Sequence, residues 1–191
     1  MGIPNKMFVK IKPIPKTDWA KPTIISYNFF SSHFGKMLVA SMAQGVCYIG
    51  YAVSRESALE ELRNRFPNGI FRRNKNKQHE HVKKLFAGKW EKGEKLIVYL
   101  KGTPFQLKVW ESLLKIKTGS LSTYSKIATA VGSPNAQRAV GTAIGKNPIL
   151  YLIPCHRVIA QTGKMGGFYW GIEKKLELLG AEHAGYLHFN S

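Results

Sequence analysis

The chain is poor in cysteine, poorer in aspartate, and has no long apolar run. Its 191 residues hold two cysteines, Cys47 and Cys155, with no CxxC pair, which excludes zinc ribbons and thioredoxin-type redox motifs. Two thiols so far apart do not make a disulfide scaffold, and both read as free in a reducing compartment. Asp18 is the only aspartate, and it falls in an irregular N-terminal stretch. Aspartic dyads, two-metal carboxylate clusters and a Ser/His/Asp triad are excluded with it. The longest apolar run, residues 149–155, is too short to cross a bilayer, and the N-terminal MGIPNKMFVKIKPIPK lacks the apolar centre of a secretory signal. The expectation is a soluble cytoplasmic protein that does not engage a membrane.

Basic residues are plentiful. Twenty-nine Lys+Arg against 11 Asp+Glu leave a net charge of +18 and a pI near 10.0. The excess is +11 over residues 1–100 and +7 over 101–191, so it belongs to the whole fold and not to a tail. A charge of that size points to a polyanion, most simply nucleic acid.

Hydrophobic patterning divides the chain into a mixed α/β part, 1–100, and a mostly helical part, 101–191. Residues 1–25 read as an irregular arm or an edge strand. Two apolar runs within 36–54, broken at Gln44-Gly45, read as a β-hairpin entered through a turn at 32–35. Residues 56–67 read as a helix stopped by Pro67, 68–79 as a polar surface loop, 79–90 as a short helix ended at Gly88, and 95–100 as a strand. In the second part, 105–116 is a helix. Thr123 caps a second helix over 123–132 that Gly132 stops. Ser133-Pro134 opens a third helix over 135–145, and together 123–145 form a helix-turn-helix pattern. Residues 149–153 read as a buried strand, and 171–182 as a last helix with Ile172, Leu176 and Leu179 inward.

Cys155 has two readings from its neighbours alone. It is a nucleophile whose thiolate fraction is raised by His156, nearby cations or a helix terminus, or a buried thiol at a strand end. His79-Glu80-His81 is the one metal-like cluster, and with no cysteine near it and neighbours that alternate faces, no metal is expected there. No glycine-rich loop follows a strand in the Rossmann manner, so no S-adenosylmethionine-type cofactor is expected either.

The residues around Cys155 extend into a pattern. Pro154-Cys155-His156-Arg157-Val158 resembles the active-site motif of the O6-alkylguanine-DNA alkyltransferases. Gly102-Thr103-Pro104-Phe105-Gln106 with Val109-Trp110 is similar to the opening of that family's C-terminal domain. Arg138-Ala139-Val140-Gly141, Asn147-Pro148 and the bacterial-type loop Gly167-Phe168-Tyr169-Trp170-Gly171 follow in family order. Through 102–182 the chain is identified as a member of this family, while residues 1–100 match only in pattern.

The resemblance implies an α/β (α+β) protein with a ribonuclease-H-like N-terminal domain and a helical C-terminal one. It implies irreversible, stoichiometric transfer of the alkyl group from O6-methylguanine, and from O4-methylthymine, to Cys155 after the base is flipped out. His156, acting through a water and oriented by Glu182, takes the thiol proton. Read alone, Glu182 is a surface residue at a helix end. Asn147 holds the turn before the motif, and Tyr124 donates to the leaving guanine, although a Tyr at a helix start is more often just half-buried. Phe168 is the wall under the base, with Tyr169, Ile144 and Arg157 also at the substrate. Arg138 is the finger that fills the vacated stack, on a small-sided helix (Ala136, Ala139, Gly141, Ala143) that enters the minor groove. Gln106, Ser125, Ala136 and Ala139 lie at the DNA, and Lys126, Lys146 and Lys164 bind phosphates. The implied partner is double-stranded DNA, the implied state a monomer. A binding-only sensor of the same fold has another residue in place of Cys155. A fused transcription regulator needs a further cysteine-rich domain, and a Cys/His hydrolase needs a geometry that adjacent residues rarely reach.

Overall fold

The computed structural model describes residues 9–89 and 94–183; the first eight residues of the expected arm lie outside them. Contacts divide the chain into two units, Phe8–Lys101 and one carrying Gly102–Ser191.

The first unit is a six-stranded mixed sheet, built from β1 (Val9–Pro13), β2 (Thr23–Ser32), β3 (Gly35–Met42), β4 (Gly45–Tyr51), β5 (Gly69–Arg73) and β6 (Leu96–Leu100) in the order β1-β6-β4-β3-β2-β5. The expected hairpin is β3–β4, antiparallel with a bulge between Ala40 and Ser41. Its strands read as unbroken apolar runs because both faces are covered. Leu38, Ala40 and Met42 pack with Ala58 and Leu62 of α1 (Arg55–Arg65). On the other face, α2 (Lys77–Phe86) lies against β2 and β3 and buries Val82, Leu85 and Phe86.

Two elements of this unit differ from expectation. β2, the longest described strand, carries no clear strand signal, because its Ser, Asn and Thr interrupt the apolar alternation and most of its residues are only half-buried. Residues 69–73 are not loop but the edge strand β5, parallel to β2. An edge strand with one solvated face carries no core periodicity, and Ile70 is 49% exposed. Asn76, within that expected loop, caps α2 by accepting from His79 N–H. Both ring nitrogens of His79 are engaged, Nε2 with Ser41 Oγ at 2.9 Å and Nδ1 with the Asn74 carbonyl at 3.2 Å. A carbonyl only accepts, so Nδ1 carries the hydrogen and Nε2 accepts from Ser41.

The second unit comprises α3 (Pro104–Leu113), β7 (Ser122–Thr123), α4 (Tyr124–Ala130), α5 (Gln137–Gly145), β8 (Val158–Ile159) and α6 (Ile172–His183), with a 3-10 turn at Cys155–Arg157. Thr103 and Gln106 form a reciprocal capping box on α3, and Trp110 of α3 donates its indole N–H to the Ala143 carbonyl of α5 at 2.9 Å. Thr123 caps α4 as expected. Helix α5 starts at Gln137, not at Asn135, and has no side-chain cap; Ser133 instead accepts the Ala136 N–H through its carbonyl in a preceding turn. Residues 149–153 are buried but form no strand, and the inward face of α6 is Lys175, Leu178 and Glu182 rather than Ile172, Leu176 and Leu179. Ile172 and Leu176 are 40% and 49% exposed. No helix among the described residues is long and apolar enough to cross a membrane.

Candidate active site

Two tight turns present Cys155. Leu152 N–H bonds to the Leu150 carbonyl across Tyr151, and Cys155 N–H bonds to the Ile153 carbonyl across Pro154 at 2.7 Å. Pro154, at φ −79° and ψ 63°, has the dihedrals of an inverse γ-turn. A strand could not bend twice in six residues, which is why an apolar run that reads as a strand is folded on itself. Buried turns leave carbonyls without ladder partners, and such groups need satisfying. Asn147 supplies the donors. Its amide N–H groups point at the Ile149 carbonyl (3.2 Å), the Ile153 carbonyl (2.8 Å) and Cys155 Sγ (3.2 Å), while its Oδ1 accepts from Ile149 N–H.

Burial pushes the Cys155 thiol up to about 11, although the Asn147 bond and the Lys175 charge pull the other way. Of the two readings of Cys155, the burial matches the second, and the raised thiolate fraction of the first is not found. Held well above neutral pH, the resting group is a thiol, and an attack at sulfur needs a base.

The base next to it is a neutral imidazole. His156 is fully buried, and burial holds it below the ordinary histidine range even though Glu182 favours its charged form. Nε2 lies 2.9 Å from Glu182 Oε1. A carboxylate only accepts, so Nε2 carries the hydrogen and the Nδ1 lone pair is left as the proton acceptor. Burial alone would raise the Glu182 carboxyl, but bonds from His156 and Arg157 outweigh it and hold the group well below the usual carboxylate range. Glu182 sits at the end of α6 but is 2% exposed, so the reading as a solvated helix end does not hold.

Arg157 departs from its expected place at the substrate. Its guanidinium is buried behind the site. Nε and Nη2 donate to Glu182 at 3.0 and 2.6 Å, Nη1 to the Ile116 carbonyl at 2.6 Å, and Nη2 to Thr118 Oγ1 at 3.0 Å. Its charge balances Glu182, which keeps the histidine free to remain neutral. Ile144 is likewise a core residue, 6% exposed.

Lys175 is the residue that sequence reasoning missed. It is 0% exposed, and its ammonium donates to the carbonyls of Val158 (2.6 Å) and Met165, tying together the segment that follows the Cys155 turn. Burial lowers it, and the sulfur of Cys155 pulls it back up. The signal was present: once Glu182 faces inward, Lys175 and Leu178 follow at helical spacing on the same face.

The parallel pairing of β7 with β8, Ser122 opposite Val158 and Thr123 opposite Ile159, brings the start of α4 beside the segment after Cys155. Tyr124 is therefore half-buried at the site. Its hydroxyl lies against Gly166, where a Cβ would approach it to 2.7 Å; Gly166 also has φ +67°. Both facts demand glycine there. Beyond it, Phe168 is half-buried against Trp170 (centroids 5.6 Å apart), and Tyr169 is 55% exposed. On α5, Val140, Ala143 and Ile144 face inward and Arg138 and Ala139 outward, with Ala136 half-buried before the helix. Lys126, Lys146 and Lys164 are exposed. Ser125 bonds to Gln161 at 3.1 Å, and Gln106 is committed to its capping box.

Comparison with known proteins places this arrangement. Residues 104–184 match the model for the 6-O-methylguanine DNA methyltransferase DNA-binding domain. A probable methylated-DNA–protein-cysteine methyltransferase of Acanthamoeba polyphaga mimivirus is 50% identical over 99 residues, 52% of this chain and just under two thirds (66%) of that relative. The inducible methylated-DNA–protein-cysteine methyltransferase of Bacillus subtilis is 35% identical over 175 residues, covering 88% of this chain and 91% of the relative. The structure of Mycobacterium tuberculosis OGT in complex with DNA superposes with a TM-score of 0.66 at 30% identity, over 83% of this chain and 93% of that one. With Cys155 and its neighbours assembled as described and one relative matched almost end to end, the chain belongs to the methylated-DNA–protein-cysteine methyltransferase family.

Proposed function

We propose that the chain repairs alkylated DNA by direct reversal, using each molecule once. Cys155 attacks the methyl carbon on O6 of a guanine turned out of the duplex, or on O4 of a thymine, and keeps it as a thioether. The observation that carries the reading is a buried thiol held by Asn147 in the turn that leads directly to a neutral His156, whose Nε2–H is fixed on Glu182.

The steps follow from the groups present. The thiol proton passes through a water to His156 Nδ1, leaving the electron pair on sulfur. Sulfur bonds to the methyl carbon as the carbon–oxygen bond breaks. The departing guanine gains negative charge on O6, the Tyr124 hydroxyl, kept protonated by burial, donates a hydrogen bond to it, and the proton held on His156 returns through the water to the base. A thioether is not hydrolysed, so nothing in the site needs to regenerate the thiol. Phe168 offers a face for the flipped base, and the outward Arg138 fills the gap in the stack. The exposed lysines and the net charge of +18 suit sequence-independent phosphate binding. A monomer in the reducing cytoplasm fits the two free thiols.

A pH profile tests the proton path. At saturating duplex, the transfer rate should be level from about pH 7 to 9 and fall on the acid side as His156 becomes charged, with a midpoint below the ordinary value of about 6.5. A rate that instead climbs about tenfold per pH unit across that range would mean attack by pre-formed thiolate, with no base.

A further inference from the structure

Tyr151 is the one non-glycine residue with positive φ among the described residues, at +68°. The Leu152 N–H closes on the Leu150 carbonyl across it at 2.8 Å. An i to i+2 bond at that φ marks the left-handed γ-turn, which is rare and strained, and a bulky residue makes it more so. Glycine would adopt this φ freely, yet a tyrosine stands here. Its side chain is not at the surface, being 2% exposed. The ring lies flat against the imidazole of His156, with centroids 5.7 Å apart and planes 16° from parallel. Strain of this kind persists where the surroundings over-determine it, and it gathers at functional sites.

We propose that Tyr151 is a positioning residue for His156: its ring sets the plane of the imidazole and offers a π face to the imidazolium that forms when the Cys155 proton arrives. This rests on the reading of His156 as proton acceptor. In that step the S–H bond breaks, the proton ends on Nδ1 and the electron pair stays on sulfur. The groups facing the new charge are Glu182 and Lys175 from α6 and Arg157 and Cys155 from its own turn. Arg157 and Lys175 oppose an imidazolium, and Glu182 is already shared with Arg157. The electron-rich face of Tyr151 adds an attraction that falls on the imidazolium, at a separation where such contacts are effective.

The test is a series at position 151, read by transfer rate from O6-methylguanine duplex and by NMR titration of His156. Tyr151→Phe keeps the ring and should stay within about threefold of the wild-type rate. Tyr151→Leu should be about tenfold slower and should titrate His156 at lower pH, because the imidazolium loses its π face. Pentafluorophenylalanine has the shape of Phe and the reversed ring quadrupole. It should behave as Leu does and serves in its place if the Leu variant does not fold. Equal rates and equal His156 midpoints for Phe and its fluorinated form would overturn the proposal, and so would a slow Leu variant whose His156 midpoint has not moved. Failure of the underlying reading looks different: His156→Gln would then transfer as fast as wild type, whereas failure at Tyr151 alone leaves His156→Gln slow and the 151 series level.

Discussion

Cys155→Ala is expected to abolish methyl transfer while still binding duplex that carries O6-methylguanine. Only one other thiol exists, Cys47. It is buried in the sheet core of the first unit, packed with Leu38, Ala40 and Tyr48, and burial holds it firmly protonated. It cannot substitute as acceptor. On the proposed reading, docking and base extrusion draw on α5, the 166–170 loop and the basic surface, none of which includes the sulfur. The alanine removes little volume from a turn held by Asn147, and Asn147 keeps its two carbonyl acceptors. The affinity for methylated duplex should therefore stay within about threefold of wild type, since losses of this size lie below one kcal/mol. The check pairs a transfer assay on labelled duplex with a binding isotherm. Residual transfer by the variant would remove Cys155 as the acceptor, and lost binding would mean that the thiol supports the site structurally.

Glu182→Gln carries the second large effect. The carboxylate accepts from His156, from Arg157 twice over, and from the Gly119 N–H at 3.3 Å. Glutamine keeps the shape but leaves the buried guanidinium of Arg157 without a counter-charge. Breaking one side of a buried pair in this way costs about 3–5 kcal/mol, visible as a lowered denaturation midpoint. Transfer should also slow by about a hundredfold, because the imidazolium that forms on His156 loses the carboxylate charge facing it. The pH sense follows from the lowered carboxyl. Unfolded, the group titrates near 4.5; folded, it is held at about 2. It binds fewer protons when folded, so its stabilisation is complete above about pH 4.5 and is lost as pH falls toward 2. The variant, lacking the group, should show a shallower loss of stability across that window. An unchanged midpoint and an unchanged acid limb would contradict the account of this cluster.

These two positions were legible in the chain to different degrees. Cys155 stood out because the PCHRV stretch and its landmarks share one order, and the caps of α4 and the β3–β4 hairpin were readable from Thr123 and from Gln44-Gly45. Local chemistry fixes such features, so local patterns reveal them. The turn over 149–153 was not readable: five apolar residues fit a buried strand equally well, and only the Asn147 side chain, satisfying carbonyls two and six residues away, makes the folded-back path possible. The inward face of α6 is hidden from its sequence for a related reason. Leucines and isoleucines at 172, 176 and 179 mark one stripe, but Lys175 and Glu182 are buried because partners distant in sequence, Val158, Met165, His156 and Arg157, satisfy them. Likewise β5 escaped notice because an edge strand needs no apolar alternation. The motif that carries Arg157 suggests a place at the substrate, but its guanidinium is taken up by Glu182, the Ile116 carbonyl and Thr118.

The central claim is that Cys155 is a stoichiometric acceptor. The most direct measurement incubates the protein with excess duplex carrying isotopically labelled O6-methylguanine, follows label transferred per protein over time, and then maps the modified peptide by mass spectrometry. The account predicts a plateau at one methyl per protein molecule, with the label on Cys155 and unmodified guanine restored in the duplex. Label that keeps transferring beyond one equivalent, or that is found on Cys47, would contradict it.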